Sequence, residues 1–404
     1  MKLLTLVMNK EEAQAVKRLR SENSDLLTPK YNTDFNLLRW AQGYGFDMEE
    51  ASAQLRRHLK FRKFYDLDHS DQVPEHQILK QYFPIGLVGK TGMDNTLLVI
   101  ECAGRIDLVG ILKSVQLSDF LIQRFRLQEK MLGALNELEA KTGKQASVIY
   151  ILDLDGLKFD TSLLSIVTGP YRILWESVYT NYPEWIKTFF IVNAPPFMGL
   201  IWKAIGPLLP ERTRNKVQLC TTNSDWKNQI QKVAKPENIP AHWGGKLYDS
   251  NGDGMCRDRL NIPFDPIPHD LYWEPDERAP GLKDLTCAVI PAGKAKIVTY
   301  IVSSNEPTYI VVNRFCDRTF GMGIWFSEDP AAVDSALDNM IDWFPDFDYP
   351  GMPTVDYLRI KTLGAGVYKV KYGNEQAWVR SLTVYYRIQF EKENGELADF
   401  KELE

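Results

Sequence analysis

The sequence predicts an α+β multidomain protein, with a helical N-terminal module, an α/β domain with a mostly parallel sheet, and a C-terminal antiparallel β-sandwich. Three observations support this fold class. The chain has 404 residues, enough for two or three domains at roughly 150 residues each. Its composition, 44% hydrophobic and 25% charged, is typical of folded proteins. The hydrophobic pattern changes from helical spacing to alternating helices and strands, and then to strands alone.

Residues 1–74 are predicted to form the helical module. Apolar residues recur there near helical spacing, most clearly at Ala51, Leu55 and Leu59, with basic residues between them. The helical patterns span residues 11–22, 34–46 and 47–67.

Residues 75–248 are predicted to form the α/β domain. Mostly apolar runs, typical of buried strands, occupy 97–103, 147–154, 189–192 and 217–220. Longer amphipathic stretches separate these runs. Such alternation indicates a mostly parallel sheet covered by helices.

The apolar stretch 189–209 is long enough to cross a membrane, but its interior argues against one continuous helix. Pro195 and Pro196 would break the helix, and Asn193 and Lys203 would be costly in hydrocarbon. We therefore predict a strand, a turn, and then a helix that begins near Pro196.

This short helix is apolar nearly all round. One face carries Phe197, Leu200, Ile201 and Ile205, and the opposite face carries Met198 and Trp202. A helix of this kind is either buried or placed between two apolar environments. In the second case it is a lid, with the Phe197 face over a cavity and the face of Met198 and Trp202 toward a bilayer surface. The pattern alone does not choose between the two.

The segment 249–281 holds five prolines and no apolar period, which predicts a linker with an ordered tether. Asp249, Asn251 and Asp253 fit the start of a calcium loop, but Leu260 stands where that loop needs a bidentate glutamate, so no metal site is predicted. Residues 282–404 then show period-two strand patterns between turn residues, which indicates an antiparallel sandwich.

Charge and motifs limit the classes of function. The 48 basic and 53 acidic residues give a net charge of -5, which predicts no nucleic-acid partner and only local, apolar membrane contact. Five singly spaced cysteines and the lack of a signal-peptide pattern predict a cytoplasmic chain. No phosphate-loop, nucleophile-elbow or zinc-protease motif is present, which predicts a non-enzyme without a cofactor. Asp153 and Asp155 end a buried strand, where turn capping is favoured over acid–base chemistry.

Several motifs resemble the CRAL-TRIO lipid-transfer family. They are Tyr182-Pro183-Glu184, the run from Phe189 to Met198, the run from Pro210 to Lys216, and the run from Asn238 to Lys246. Leu37 to Trp40, followed by Gly45 to Asp47, is similar to the helical module that precedes this domain, although the next residues, 41–44, lack two cations that many members carry. Gly366 to Tyr368, Tyr372 to Asn374 and Ser381 to Arg387 are similar to a GOLD β-sandwich. The combination resembles the animal group that includes the tocopherol-associated proteins.

The resemblance implies a deep apolar pocket that holds one hydrophobic lipid. Expected pocket residues on the sheet are Ile149, Ile151, Phe189 and Ile191, and the expected gate consists of Phe197, Met198, Leu200, Ile201, Trp202 and Ile205. Because side chains alternate along a strand, the sheet residues are predicted to within one position. For a phosphoinositide headgroup the resemblance implies Glu184, Thr213 and Lys216, together with Arg39.

Two functions follow as predictions. In the first, the protein binds one lipid, phosphatidylinositol or an isoprenoid of the tocopherol type, and transfers or presents it between membranes during transient peripheral contact. In the second, it is a lipid-responsive adaptor whose GOLD domain recruits a Golgi or secretory-pathway protein. Candidates for a protein or membrane contact in this region are Trp325, Trp343, Phe344 and Phe347, although core packing explains most aromatics in a sandwich.

Overall fold

Three capped helices form the N-terminal module of the computed structural model. The structure describes residues 8–158, 163–209, 211–262, 265–304 and 306–403. The helices are α1 (Lys10–Glu22), α2 (Asp34–Gly43) and α3 (Met48–Phe64). Each begins after a polar side chain, Asn9, Thr33 or Asp47, that accepts a backbone N–H of the first turn. Their apolar faces pack together, and the predicted helical module is confirmed.

The central domain is built on a five-stranded sheet in the order β1-β2-β3-β4-β5. Its strands are β1 (Ile85–Lys90), β2 (Thr96–Glu101), β3 (Ser147–Asp153), β4 (Ile186–Ala194) and β5 (Val217–Thr221). Strands β2 to β5 run parallel, and β1 pairs antiparallel with β2. Every residue of β2 is buried, as expected for a parallel sheet with both faces covered.

Helices cover both faces of this sheet. They are α4 (Gln77–Tyr82), α5 (Leu108–Ser114), α6 (Leu117–Thr142), α7 (Leu163–Thr168), α8 (Arg172–Asn181), α9 (Met198–Ile205), α10 (Glu211–Arg214) and α11 (Trp226–Gln231). The apolar stretch after residue 189 forms a strand, a turn and a helix, as predicted. Within the described residues, no helix combines the length and the apolar character that crossing a membrane requires.

The segment after the central domain is ordered and packed, although it contains little regular structure. Cys256, Leu260 and Ile267 are almost fully buried. The backbone carbonyl of Arg259 lies so close to β1 that a Cβ on Gly86 would stand 2.2 Å from it. The Asp249 carboxylate accepts the N–H groups of Asn251 and Asp253, which makes a local turn.

The C-terminal region is an antiparallel β-sandwich of two sheets, with strand orders β10-β9-β12-β7-β14 and β11-β8-β13-β6. The strands are β6 (Thr286–Ile290), β7 (Ala295–Val302), β8 (Thr308–Phe315), β9 (Phe320–Ser327), β10 (Ile341–Tyr349), β11 (Asp356–Lys361), β12 (Gly366–Gly373), β13 (Leu382–Lys392) and β14 (Phe400–Leu403). Burial alternates residue by residue along β13, because one face of the strand packs into the core. The predicted fold class is confirmed.

Aromatic side chains join the sandwich to the helical module. Trp343, Phe344 and Phe347 on β10 are at most 7% exposed. The Phe344 ring lies 4.4 Å from that of Phe64 and 6.1 Å from that of Phe61, both on α3. The prediction that these β10 aromatics are available for a protein or membrane contact is therefore wrong, because the chain's own helix already covers them.

A buried polar cluster ties the sandwich to α6. The carboxylate of Asp356 on β11 accepts the backbone N–H and the hydroxyl of Ser118 at 2.8 and 2.7 Å. It also accepts the Nε and Nη2 groups of Arg314, its cross-strand neighbour on β8, both at 3.0 Å. Neither Asp356 nor Arg314 is exposed. Because Ser118 lies on α6 and Asp356 lies on β11, the Ser118 hydrogen bonds join α6 to the sandwich.

Candidate functional site

A cavity of about 250 Å³ lies between one face of the central sheet and the helices α7, α8 and α9. Most of its lining is aliphatic or aromatic, contributed by Leu152, Leu163, Val167, Val178 and Val217 among others. Ligand sites in proteins are typically concave and mostly apolar, with a few polar groups. The cavity therefore suits an apolar molecule.

The sheet contributes the floor of the cavity through side chains on one face. Tyr150 and Leu152 of β3 pair in register with Phe189 and Ile191 of β4, so the four side chains point the same way. The rings of Tyr150 and Phe189 stack with centroids 4.7 Å apart. Phe189 and Ile191 were expected to face the pocket, and both line the cavity.

Ile149 and Ile151 are not part of this lining, and their prediction is wrong by one residue. They point to the opposite face of the sheet and pack with Trp226, Ile230 and Trp243. Neighbouring residues of a strand face opposite sides, so a shift of one exchanges the two sets. The apolar run is unbroken here because both faces are buried, and alternation of hydropathy gives no guide to the register.

Helix α9 contributes residues at helical spacing to the cavity lining. Met198, Ile201, Trp202 and Ile205 line it, and Met198 and Ile201 are each 7% exposed. Leu200, in contrast, is 66% exposed on the outer side.

The helix therefore turns a different face toward the cavity than the sequence predicts. Met198 and Trp202 face inward rather than outward, Leu200 faces outward, and Phe197 packs beside the cavity without lining it. The two candidate stripes differ by one position on a helix, and both are apolar. Hydropathy could not distinguish them.

Glu184, Thr213 and Lys216 come together at a small crevice beside the cavity. The crevice measures about 30 Å³, and Thr213 lines both spaces. The Lys216 ammonium donates to the Glu184 carboxylate at 2.6 Å, and both side chains are less than 25% exposed. Glu184 has φ of 55°, a left-handed conformation that is uncommon outside glycine and often stores strain at functional sites.

Arg212 is a further cation of this crevice that the sequence analysis did not single out. Its guanidinium lies 4.7 Å from the ring centre of Tyr44, at the C-terminal end of α2. Gly43 allows α2 to approach, since a Cβ there would stand 2.7 Å from Cβ of Pro183. Within the stretch 41–44, this close approach therefore requires glycine at position 43. The signal for Arg212 was its place inside the motif from Pro210 to Lys216, of which Pro210 itself lies outside the described residues.

Arg39 does not reach the crevice, and its prediction as a headgroup residue is wrong. It is 3% exposed and donates to Glu139 of α6 and, at 2.7 Å, to the carbonyl of Ala146. Through these two contacts the Arg39 side chain joins α2 to α6 and to the loop before β3. A buried arginine with a carboxylate and a carbonyl as partners is a packing element here.

Asp153 organises the carboxyl end of β3. Its carboxylate accepts the N–H of Asp155, the amide of Asn193 at 2.8 Å and the indole N–H of Trp243 at 2.9 Å. These donors support the predicted capping role. Gly245, two residues after Trp243, is required because a Cβ there would stand 1.9 Å from the carbonyl oxygen of Ile239.

Among the polar side chains of the cavity lining that no sequence motif marks are Glu101, Arg124, Tyr150 and Tyr171. The hydroxyl of Tyr150 donates to Glu101, and Nη2 of Arg124 lies 4.0 Å from the same carboxylate. One feature of the sequence could have indicated this polar group. Glu101 ends an otherwise apolar strand, at a position that shares its face with Val99.

Comparison with known proteins finds relatives that contain a CRAL/TRIO domain. A model of the CRAL/TRIO domain matches residues 80–245. The CRAL-TRIO domain-containing protein F28H7.8 of Caenorhabditis elegans is 31% identical over 399 residues, which cover 96% of this chain and 92% of the relative. Protein ctg-1 of the same organism is 21% identical and covers 94% and 96%. The crystal structure of Sfh5 has a TM-score of 0.46 at 17% identity and covers 65% of this chain and 94% of that one.

The C-terminal sandwich has a match of its own. A model described as F28H7_8_C:-like, C-terminal domain, covers residues 271–399. The description does not name a GOLD domain. The GOLD assignment and the likeness to the tocopherol-associated group therefore remain predictions.

Proposed function

Because the chain belongs to the CRAL-TRIO family, whose domain binds and transfers lipids, we propose that it carries one single-tailed hydrophobic lipid in the cavity under α9. The observation that carries this proposal is the mostly apolar lining of a cavity of about 250 Å³. Burial of apolar surface contributes about 25 cal/mol per Å², so a hydrocarbon gains stability there without any polar contact. The protein acts by exchange, and the lipid leaves chemically unchanged.

The geometry favours a single tail of isoprenoid type over phosphatidylinositol. The cavity lies below the range of about 300–1,000 Å³ that ligand sites commonly have. The crevice at Glu184 and Lys216 has about 30 Å³, room for little more than a water molecule. The Lys216 charge is already paired with Glu184, and Arg39 is engaged elsewhere. A phosphorylated headgroup would have to break the first of these pairs.

Helix α9 is the proposed gate. Its inner residues cover the cavity, and movement of the helix would open the lining to a bilayer surface. Leu200 on the outer side, 66% exposed, would enter the interfacial region during a transient, peripheral contact. Cys102, Cys220, Cys256, Cys287 and Cys316 are all free thiols, which supports exchange between membranes that face the cytoplasm.

Transfer of a fluorescent isoprenoid between vesicles tests the proposal. The unaltered protein should transfer lipid at protein levels far below the lipid level. Leu200→Asp should lower the transfer rate by about tenfold or more, since a charge opposes entry into the bilayer, while bound lipid after purification stays unchanged. Val289→Asp, an equally exposed apolar position on β6, is the matched control and should transfer normally.

A second variant tests the cavity itself. Ile191→Trp should fill the space and reduce the lipid that mass spectrometry recovers from the purified protein. Recovery of stoichiometric phosphatidylinositol would contradict the single-tail proposal. Stoichiometric binding of the isoprenoid without transfer would instead support the adaptor, in which the sandwich recruits a protein partner. Recovery of a chemically altered lipid would contradict a role without catalysis.

A further inference from the structure

One part of the cavity, here called the polar end, is formed by Glu101, Arg124, Tyr150 and Tyr171. Glu101 and Tyr150 lie on the same face of the sheet, Arg124 projects from α6, and Tyr171 precedes α8. Tyr150 and Tyr171 pack with the core that includes α6, whereas the inner residues of α9 pack with a separate cluster around Leu154. The polar end and the gate thus belong to different parts of the lining.

The guanidinium at the polar end has too few acceptors. Its Nη2 is 4.0 Å from the Glu101 carboxylate, beyond hydrogen-bond distance. Its Nε and Nη1 groups are buried, and neither has a hydrogen-bond partner within the described part of the chain. The side chain is only 11% exposed. Buried donors are nearly always satisfied in native proteins, so this guanidinium points to an absent acceptor.

The charge of the surroundings restricts what this acceptor can be. Glu101 supplies one negative charge for the one positive charge of Arg124. A second carboxylate would leave an uncompensated anion in an apolar cavity, which is costly. Burial raises the pKa of the Tyr150 and Tyr171 hydroxyls well above their usual range, so both stay protonated. Because the Tyr150 proton is already donated to Glu101, the donors that remain for a ligand are the Arg124 guanidinium and the Tyr171 hydroxyl. A neutral oxygen fits these donors without adding charge.

We propose that Arg124 binds a neutral oxygen, a carbonyl or a hydroxyl, at the buried terminus of the lipid. This inference rests on the proposed function, because it names the end of the lipid that the cavity under α9 selects. The hydrocarbon then extends from the polar end toward Met198 and Ile201, and the oxygen-bearing terminus leaves the cavity last.

Competition against a fluorescent polyene hydrocarbon tests the inference. The competitors are a saturated hydrocarbon, its methyl ketone and its carboxylate, all of one chain length. The unaltered protein should bind the ketone at least about tenfold more tightly than the hydrocarbon, and more tightly than the carboxylate. Arg124→Met, which keeps the length of the side chain, should lose the preference for the ketone and still bind the hydrocarbon.

Two further variants secure the interpretation. If Arg124→Met does not fold because the Glu101 charge is left unpaired, Arg124→Met with Glu101→Gln removes both charges and should show the same loss. Arg126→Met is the matched control, because Arg126 is a second arginine of α6 that pairs with Glu75 and does not line the cavity, and this variant should keep the preference. Equal affinity of the unaltered protein for ketone and hydrocarbon, or a preference for the carboxylate, would overturn the inference while leaving the proposed function intact. Failure of every lipid to bind would overturn both.

Discussion

Arg39 shows how a charged residue inside a family motif can serve packing. The motif predicts a cation near the headgroup, yet the guanidinium is buried against Glu139 and the carbonyl of Ala146. Glu139 in turn accepts the N–H of Ala146 at 2.8 Å. These three groups join α2 and α6 to the loop that leads into β3. The charge pair therefore affects stability rather than lipid recognition.

Arg39→Met should destabilise the protein by about 3–5 kcal/mol, because the Glu139 carboxylate remains buried without its partner. Chemical denaturation measures this free energy of unfolding. Arg39→Met with Glu139→Gln should recover a large part of it, since the amide still accepts the N–H of Ala146 and no charge is left unpaired. Both variants should keep the lipid preference of the unaltered protein. A changed preference in the single variant would restore Arg39 to the headgroup site.

Single residues also mark the limit of what the sequence could predict about the site. The motif spacing correctly brought Glu184, Thr213 and Lys216 to one crevice. The sheet residues were predicted only to within one position, because a strand buried on both faces shows no alternation. The polar end was missed, since Glu101 and Arg124 are 23 positions apart in sequence and only the packing of α6 on the sheet joins them.

At the scale of elements, the sequence predicts that helix α9 exists, but it does not predict which face of the helix lies toward the cavity. Two prolines separate it from β4, and it is apolar nearly all round, with Lys203 as its one charge. The orientation follows from the turn that connects it to the strand and from the shape of the cavity that it covers. The hydropathy pattern carries no information about this turn or about the shape of the cavity. Helices with one polar face, such as α1, raise no such ambiguity.

His58 links α3 to α8 and makes their packing sensitive to pH. Its Nδ1 lies 3.0 Å from the amide oxygen of Asn181, and it is 1% exposed between aromatic rings. Burial, together with the nearby Arg62 charge, holds its pKa well below the usual 6.5. The unfolded chain therefore binds the proton more readily, and stability falls as pH drops below about 6.5.

His58→Gln should flatten this dependence. Between about pH 6.5 and 5 the unfolding free energy of the unaltered protein should fall by up to about 1.4 kcal/mol per pH unit more than that of the variant. Denaturation curves at a series of pH values measure the difference. His69→Gln is the control, because His69 is exposed and Asp66 raises its pKa, so this change should not flatten the curve. Parallel curves for the unaltered protein and His58→Gln would contradict the assignment.

At the scale of the whole molecule, the order of the three regions could be predicted from changes in hydrophobic period, but their docking could not. An aromatic on a sandwich strand has the same pattern whether it faces solvent, a partner or another part of the chain. Phe344 and Phe347 are covered by α3 only because the chain folds back on itself. The polar contact between α6 and the sandwich was equally unpredictable, since Ser118 and Asp356 are far apart in sequence.

The Asp356 cluster should make the central domain and the sandwich unfold together. Asp356→Asn leaves the Arg314 charge buried without a carboxylate, which costs about 3–5 kcal/mol. Ser118→Ala is milder. It removes the hydrogen bond that the hydroxyl donates to Asp356, worth about 1.5–3 kcal/mol because the acceptor is charged. It also removes the longer one that the hydroxyl accepts from Arg314 at 3.3 Å, and it keeps the Arg314–Asp356 pair within the sandwich. Calorimetry should show one transition for the unaltered protein and two for Asp356→Asn, as the sandwich separates from α6 before the rest unfolds.

The control is Asp348→Asn, which changes an exposed carboxylate on β10 and should leave one transition at its original temperature. A single unshifted transition in Asp356→Asn would show that the aromatic contacts with α3 suffice to couple the two parts.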